Sequence, residues 1–132
     1  MRKSLLWGII ISVTLIACAQ NMRGTLEKSL DQYGELVRLN KMDLASSFTT
    51  EALMDEFSAR ARAAKNMRVV DYRVARVKFD EQKAEAEVRV EIDYYTFSAY
   101  RLKTLVDTQK WAYVDEGGKK QWRLVSPLPE FK

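Results

Sequence analysis

Ala84-Glu85-Ala86-Glu87-Val88-Arg89-Val90-Glu91-Ile92-Asp93-Tyr94 alternates an apolar residue with a charged one without a break. A two-residue period puts Ala84, Ala86, Val88, Val90, Ile92 and Tyr94 on one face of a strand and Glu85, Glu87, Arg89, Glu91 and Asp93 on the other. One face needs cover and the other needs water, which fits an antiparallel sheet packed on one side. The strand is expected over Ala84 to Phe97. The rest of the chain is read as its neighbours and its cover.

The neighbours lie on both sides. Met67 to Asp80 is rich in Val, Tyr and Phe and predicts a strand. Its apolar residues change parity, Val70, Tyr72 and Val74 against Ala75, Val77 and Phe79, so a bulge is expected near Val74-Ala75. Glu81-Gln82-Lys83 makes the turn. After a connection at Ser98 to Tyr100, a third strand is expected over Arg101 to Glu116, central or strongly bent because Leu102, Val106, Ala112 and Val114 oppose Leu105, Trp111 and Tyr113 in parity. Gly117-Gly118 signals a tight hairpin, and Lys119 to Ser126 returns as a fourth strand ended by Pro127 and Pro129. A turn centred between the glycines sets Trp111 opposite Leu124 and Tyr113 opposite Trp122, one apolar cluster that fastens the last strand.

The cover comes from the first half. Thr25 to Lys41 predicts a helix capped by Thr25, with Leu26, Leu30, Tyr33 and Val37 at helical spacing and Leu36 widening the stripe. Gly34 costs about 1 kcal/mol against Ala in a helix, so close backbone packing is its expected use. Asp43 is placed as the cap of a short turn reaching Phe48. Thr50 is placed as the cap of a third helix, Thr50 to Lys65, with Leu53, Met54, Phe57 and Ala61 inward and basic residues Arg60, Arg62 and Lys65 at its end. The expected fold is α+β: N-terminal helices packed on a curved four-stranded antiparallel sheet.

This order is similar to the nuclear transport factor 2-like superfamily. The matching pieces are Tyr33-Gly34-Glu35-Leu36-Val37 leading to Lys41-Met42-Asp43-Leu44, the long strands, and Gln121-Trp122-Arg123-Leu124-Val125-Ser126. The resemblance implies a cystatin-like cone with a pocket between sheet and helices. It also implies a choice among ketosteroid isomerases, polyketide cyclases, dehydratases and non-catalytic binding or assembly domains, which fold alone does not make. The segment from Phe48 to Thr50 is short for the early small strands of that family.

The N-terminus carries an address. Met1-Arg2-Lys3 is basic and Leu5 to Ala17 is apolar apart from Ser12 and Thr14, a signal-peptide pattern too short for the roughly 20 residues of a spanning helix. Leu15-Ile16-Ala17-Cys18 resembles the bacterial lipobox. That resemblance implies diacylglycerol on the Cys18 sulfur and cleavage before it, giving residues 1–17 as signal peptide, 18–24 as lipidated cysteine and tether, and 25–132 as a single α+β domain. Cys18 is the only cysteine, so no internal disulfide competes for it. Ala19, rather than Asp, implies the outer membrane of a Gram-negative cell. A tether of six residues spans at most roughly 20 Å and keeps the domain near the bilayer. Losing Arg2 and Lys3 takes the formal +4 to +2, mixed along the chain, so no nucleic-acid partner is expected.

The chain has no histidine, which excludes histidine acid–base catalysis, His-paired nucleophiles and His-based metal sites. It has no phosphate-binding loop, and neither a cofactor nor a metal site nor a catalytic residue is expected. Tyr33, Tyr72, Tyr94 and Tyr113 are the pocket candidates. An isomerase of this resemblance uses an Asp base with a Tyr and a protonated Asp as oxyanion donors, and the resemblance makes Asp71, Asp93, Tyr72, Tyr94 and Tyr113 the candidates for those roles. The parity of Asp93 places it instead on the polar face, where Glu91, Asp93, Lys103 and Asp107 are expected to form cross-strand ion pairs. The leading expectation is a lipid-anchored, non-catalytic binding or assembly module on the periplasmic face of the outer membrane. Its partners would be the membrane, through Cys18, and another envelope protein on the exposed sheet face. The competing one is a small-molecule-binding or isomerase-like protein using a pocket between sheet and helices.

Overall fold

The computed structural model describes residues 21–132. The signal segment, Cys18 and Ala19 lie outside the described residues. The chain is α+β. Helix α1 (21–38) is followed by a short helix α2 (Met42–Ala45), which a 3-10 turn extends to Phe48. Helix α3 (Met54–Ala63) lies between 3-10 turns at Glu51–Leu53 and Ala64–Asn66. Strands β1 (Met67–Asp80), β2 (Glu85–Thr96), β3 (Lys103–Glu116) and β4 (Lys119–Leu124) then form one antiparallel sheet in sequence order. No helix among the described residues is long and apolar enough to cross a membrane.

The alternation of β2 is the frame of this sheet. Val88, Val90 and Ile92 are wholly buried, with Ala86 and Tyr94 nearly so, while Glu85, Glu87 and Arg89 face water. Strand β1 meets that rhythm by slipping twice, between Val69 and Asp71 and between Val74 and Arg76. The second slip brings Tyr72, Val74, Val77 and Phe79 to the same face, opposite Ile92, Val90, Val88 and Ala86. Val74 and Val77 stay exposed because β1 is the edge strand and the cover lies over its neighbours. At the β3–β4 hairpin both glycines are left-handed, and the pairs Trp111–Leu124 and Tyr113–Trp122 form as expected. The sheet curves: Phe79 on β1 and Trp122 on β4 meet edge to face at 6.1 Å between ring centroids. In a flat sheet these two strands would lie about 14 Å apart.

Helix α1 supplies the cover through Leu26, Leu30, Tyr33 and Val37, all buried. It begins earlier than expected. Residues 21–24, placed in the tether, are helical, so Thr25 lies inside the helix and does not cap it. Its hydroxyl donates to the Met22 carbonyl and accepts from Trp122 Nε1, bracing α1 against β4. The helix ends at left-handed Asn40, with Lys41 N donating to Leu36 O and Asn40 N to Val37 O. Asn40 Oδ1 also takes the Val69 N–H of edge strand β1. The other expected caps are absent: Asp43 sits inside α2, and Thr50 precedes its turn without a side-chain cap bond. Thr49 does the joining instead, with a parallel bridge to Leu124 and a hydroxyl bond to its carbonyl.

The prolines end β4 as expected, but the chain then turns inward. Leu128 is fully buried, its carbonyl accepts from Arg60 Nη1 at 2.8 Å, and Phe131 stands edge-on to Tyr94. The tail thus closes the space between α3 and β2.

Two substitutions test this packing. A β-carbon at residue 34 would lie 2.7 Å from Tyr72 Cε1. Gly34→Ala should therefore destabilise the protein by about 1–2 kcal/mol, the overpacking cost outweighing the helix-propensity gain. Trp122, buried and bonded to Met22 O and Thr25 Oγ1, should cost about 3–5 kcal/mol as Trp122→Ala. Thermal unfolding checks both, and an unchanged midpoint in either variant would contradict the packing described.

Candidate functional site

Once Trp111 faces the core, the two-residue period carries Gln109 and Asp107 to the same side of β3. Both are buried, and Asp107 lies opposite Val90 on the covered face. This corrects the expectation for Asp107, which takes no part in ion pairing on the wet face. The apolar residues of β3 occur on both parities, so the strand alone did not reveal its inward side.

Gln109 is the hub of a buried polar cluster. Its Oε1 accepts from Trp111 Nε1 at 3.0 Å. Its Nε2 donates to the Tyr72 hydroxyl at 2.9 Å and to Asp107 Oδ2 at 3.0 Å. Reversing the amide would set donor against donor at Trp111 and acceptor against acceptor at Asp107, so the network fixes its orientation. Desolvation pushes the Asp107 carboxyl up to about 6, opposed by its bond from Gln109. Burial also raises the Tyr72 hydroxyl, while the Gln109 bond pulls it down and the Asp107 charge adds to the rise. Tyr33 is raised well above its ordinary value by burial, then by Tyr72 and Asp107. Its hydroxyl has no hydrogen-bond partner among the described residues. Two phenols and a carboxyl that resists ionisation therefore sit within electrostatic reach of one another.

The other pocket candidates are placed elsewhere. Tyr94 is buried under the tail, its hydroxyl donating to Lys132 O at 2.6 Å and accepting from Lys132 N. Tyr113 is partly buried, its ring tilted against Trp122 at 5.2 Å. Tyr33 and Tyr72 thus converge, while Tyr94 and Tyr113 serve packing. Asp71 and Asp93 lie on the outer face, where Arg73 Nη1 reaches them at 2.6 and 2.7 Å and Nη2 reaches Glu91 at 3.4 Å. Arg73 and Thr104 hold the Asp93 carboxyl below the usual range. Of the expected outer cluster, Glu91 and Asp93 belong to this group, and Lys103 donates instead to the Lys132 carbonyl.

The surface carries a further feature that alternation could not show. A cavity of about 540 Å³ opens between the end of α3 and the start of β1, rimmed by Arg62, Lys65 and Arg68, floored in part by Met42 and Met67 and walled on one side by Phe97. Phe97 belongs to an aromatic group with Tyr95 and Tyr100, at 6.1 and 6.0 Å from Tyr95, and Tyr100 is 76% exposed.

Asp107 gives a signed prediction. Its folded pKa, about 6, exceeds the ordinary 3.8, so the folded state holds the proton more tightly. That contribution to stability is complete below about pH 4 and is lost as pH rises through about 6. Asp107→Asn should match the parent near pH 4 and exceed it by about 2–3 kcal/mol at pH 7–8. Denaturant unfolding across this range checks it, and a parent whose advantage grows with pH would contradict the buried position.

No protein-family model matches the chain, and neither the curated proteins nor the solved structures contain a significant match.

Proposed function

We propose that the chain is a lipid-anchored envelope protein, held to the outer membrane through Cys18, whose folded part is a non-catalytic binding or assembly module of the nuclear transport factor 2-like kind. The observation that carries the module reading is a filled interior. Tyr33 stands edge to face with Phe48, Phe57 and Trp111, at centroid distances from 5.5 to 6.5 Å. Leu128 is fully buried in the same core, and Phe131 packs against that core. The exposed aromatics gather at one end, and interfaces favour aromatic, Met and Arg side chains. The anchor rests on the lipobox resemblance and the single cysteine. Each buried methylene is worth about 0.8 kcal/mol, so two or three acyl chains hold where one would not.

A second reading draws on Asp107. Below about pH 6 burial keeps the Asp107 carboxyl neutral within electrostatic reach of two phenols, a donor set like the one with which an isomerase of this resemblance stabilises an oxyanion. Binding of an enolate-like oxyanion would then weaken in the parent as pH rises through about 6 and would persist in Asp107→Asn, whose amide remains a neutral donor.

Metabolic labelling with a fatty acid tests the anchor. Label should enter the parent and be lost in Cys18→Ser, with the variant leaving the outer-membrane fraction. Equal labelling of the two proteins would overturn the reading.

A further inference from the structure

We propose that the groove between the end of α3 and the start of β1 docks an acidic segment of a protein partner, one that carries an aromatic or aliphatic anchor residue. This deepens the binding-module reading and rests on it. The groove holds about 540 Å³, within the range of built ligand sites. Arg62, Lys65 and Arg68 stand exposed on its rim, and among the described residues none of them enters an ion pair. Asp43 is the only carboxylate in the lining. Cations therefore outnumber anions three to one around an apolar floor, and an approaching negative charge meets no competitor of its own sign except Asp43.

The floor selects the rest of the ligand. Met67 is buried beneath the groove, and Phe97 is a half-exposed wall. The wall continues into Tyr95 and Tyr100, whose rings stack at 27° between planes. Rigid aromatics beside arginines are the composition of protein interfaces, where a side chain entering a pocket supplies most of the affinity. A bilayer headgroup fits less well. The groove lies by Asn40 and Met42, beyond the far end of α1, and at 1.5 Å per residue that helix carries it about 27 Å from the point where the chain enters at residue 21.

The test is photo-crosslinking in intact cells expressing the full chain. A benzophenone side chain replaces Ser58, which lines the groove, or Val106, which is exposed on the outer sheet face. Adducts are sequenced by mass spectrometry. The expected result is a protein adduct from position 58, absent from position 106, whose attached peptide is rich in Asp and Glu and contains an aromatic or aliphatic residue. Arg62→Glu with Arg68→Glu should lower its yield about tenfold or more through like-charge opposition. Arg62→Lys with Arg68→Lys should keep it, and matching thermal midpoints separate lost binding from lost folding. A lipid adduct, a neutral or basic peptide, a second copy of this chain, or a yield indifferent to charge reversal would overturn the proposal. An adduct from position 106 alone would also overturn it while leaving the module reading standing, and no adduct from either position would remove both. The anchor is judged separately by Cys18 labelling.

Discussion

Where α1 crosses β1, the Tyr72 ring occupies the space that a β-carbon on residue 34 would take. This contact sets how closely the helix can lie on the sheet, and much of the interior follows from it. With the helix this near, Leu30, Tyr33 and Val37 reach the row formed by Val88, Val90 and Ile92, and none of these is appreciably exposed. The same contact fixes the Tyr72 ring, which places its hydroxyl where Gln109 donates to it. Gln109 in turn holds Trp111 and Asp107. A glycine that weakens the helix locally by about 1 kcal/mol thus permits both the apolar seam and the polar cluster inside it.

The fold was legible where a residue's neighbours determine its side. The alternation from Ala84 to Tyr94 fixed one strand. Two glycines in a row then fixed the β3–β4 register through Trp111, Tyr113, Trp122 and Leu124. The parity break at Val74-Ala75 located a bulge because a strand with one covered face cannot change sides otherwise. The caps were not legible. Thr25, Asp43 and Thr50 have the right chemistry, but the described helix already contains residues 21–24, and Thr49 rather than Thr50 found the long-range partner. Local propensity is a weak prior when a distant carbonyl or indole competes for the same hydroxyl.

The site was half legible. Of the four tyrosines that the sequence offers as pocket candidates, Tyr33 and Tyr72 lie close to one another, and Tyr94 and Tyr113 lie apart. Asp107 was missed because a charged residue on a mixed strand reads as solvent-facing. Its signal was nonetheless available: the hairpin register places Trp111 inward, and two further steps of two residues reach Gln109 and Asp107. A carboxyl there is tolerable because a donor faces it and because burial shifts it toward its neutral form, which costs less than burying the charge. The outer face shows the contrast. Asp71, Glu91 and Asp93 share one guanidinium at partly exposed positions, where water and salt screen the attraction, so this group sets local geometry more than stability.

Helix α1 is fastened at both ends to opposite edges of the sheet. Near its start, Trp122 of β4 donates to Met22 O and Thr25 Oγ1. Just beyond its end, Asn40 accepts from Val69 of β1. A force entering at residue 21 therefore passes into the last strand through Trp122, and into the first strand through Phe79 against Trp122, through Tyr72 against Gly34 and, at the far end, through Asn40. A helix bonded along its whole backbone transmits such a load with little bending. If a lipid on Cys18 holds the chain, the first turn of α1 lies near the bilayer, and the basic groove by Asn40 lies at the other end of that helix. The same contacts that close the core thus separate the proposed anchor from the proposed partner surface by one rigid element, so the domain can present the groove without relying on an extended linker.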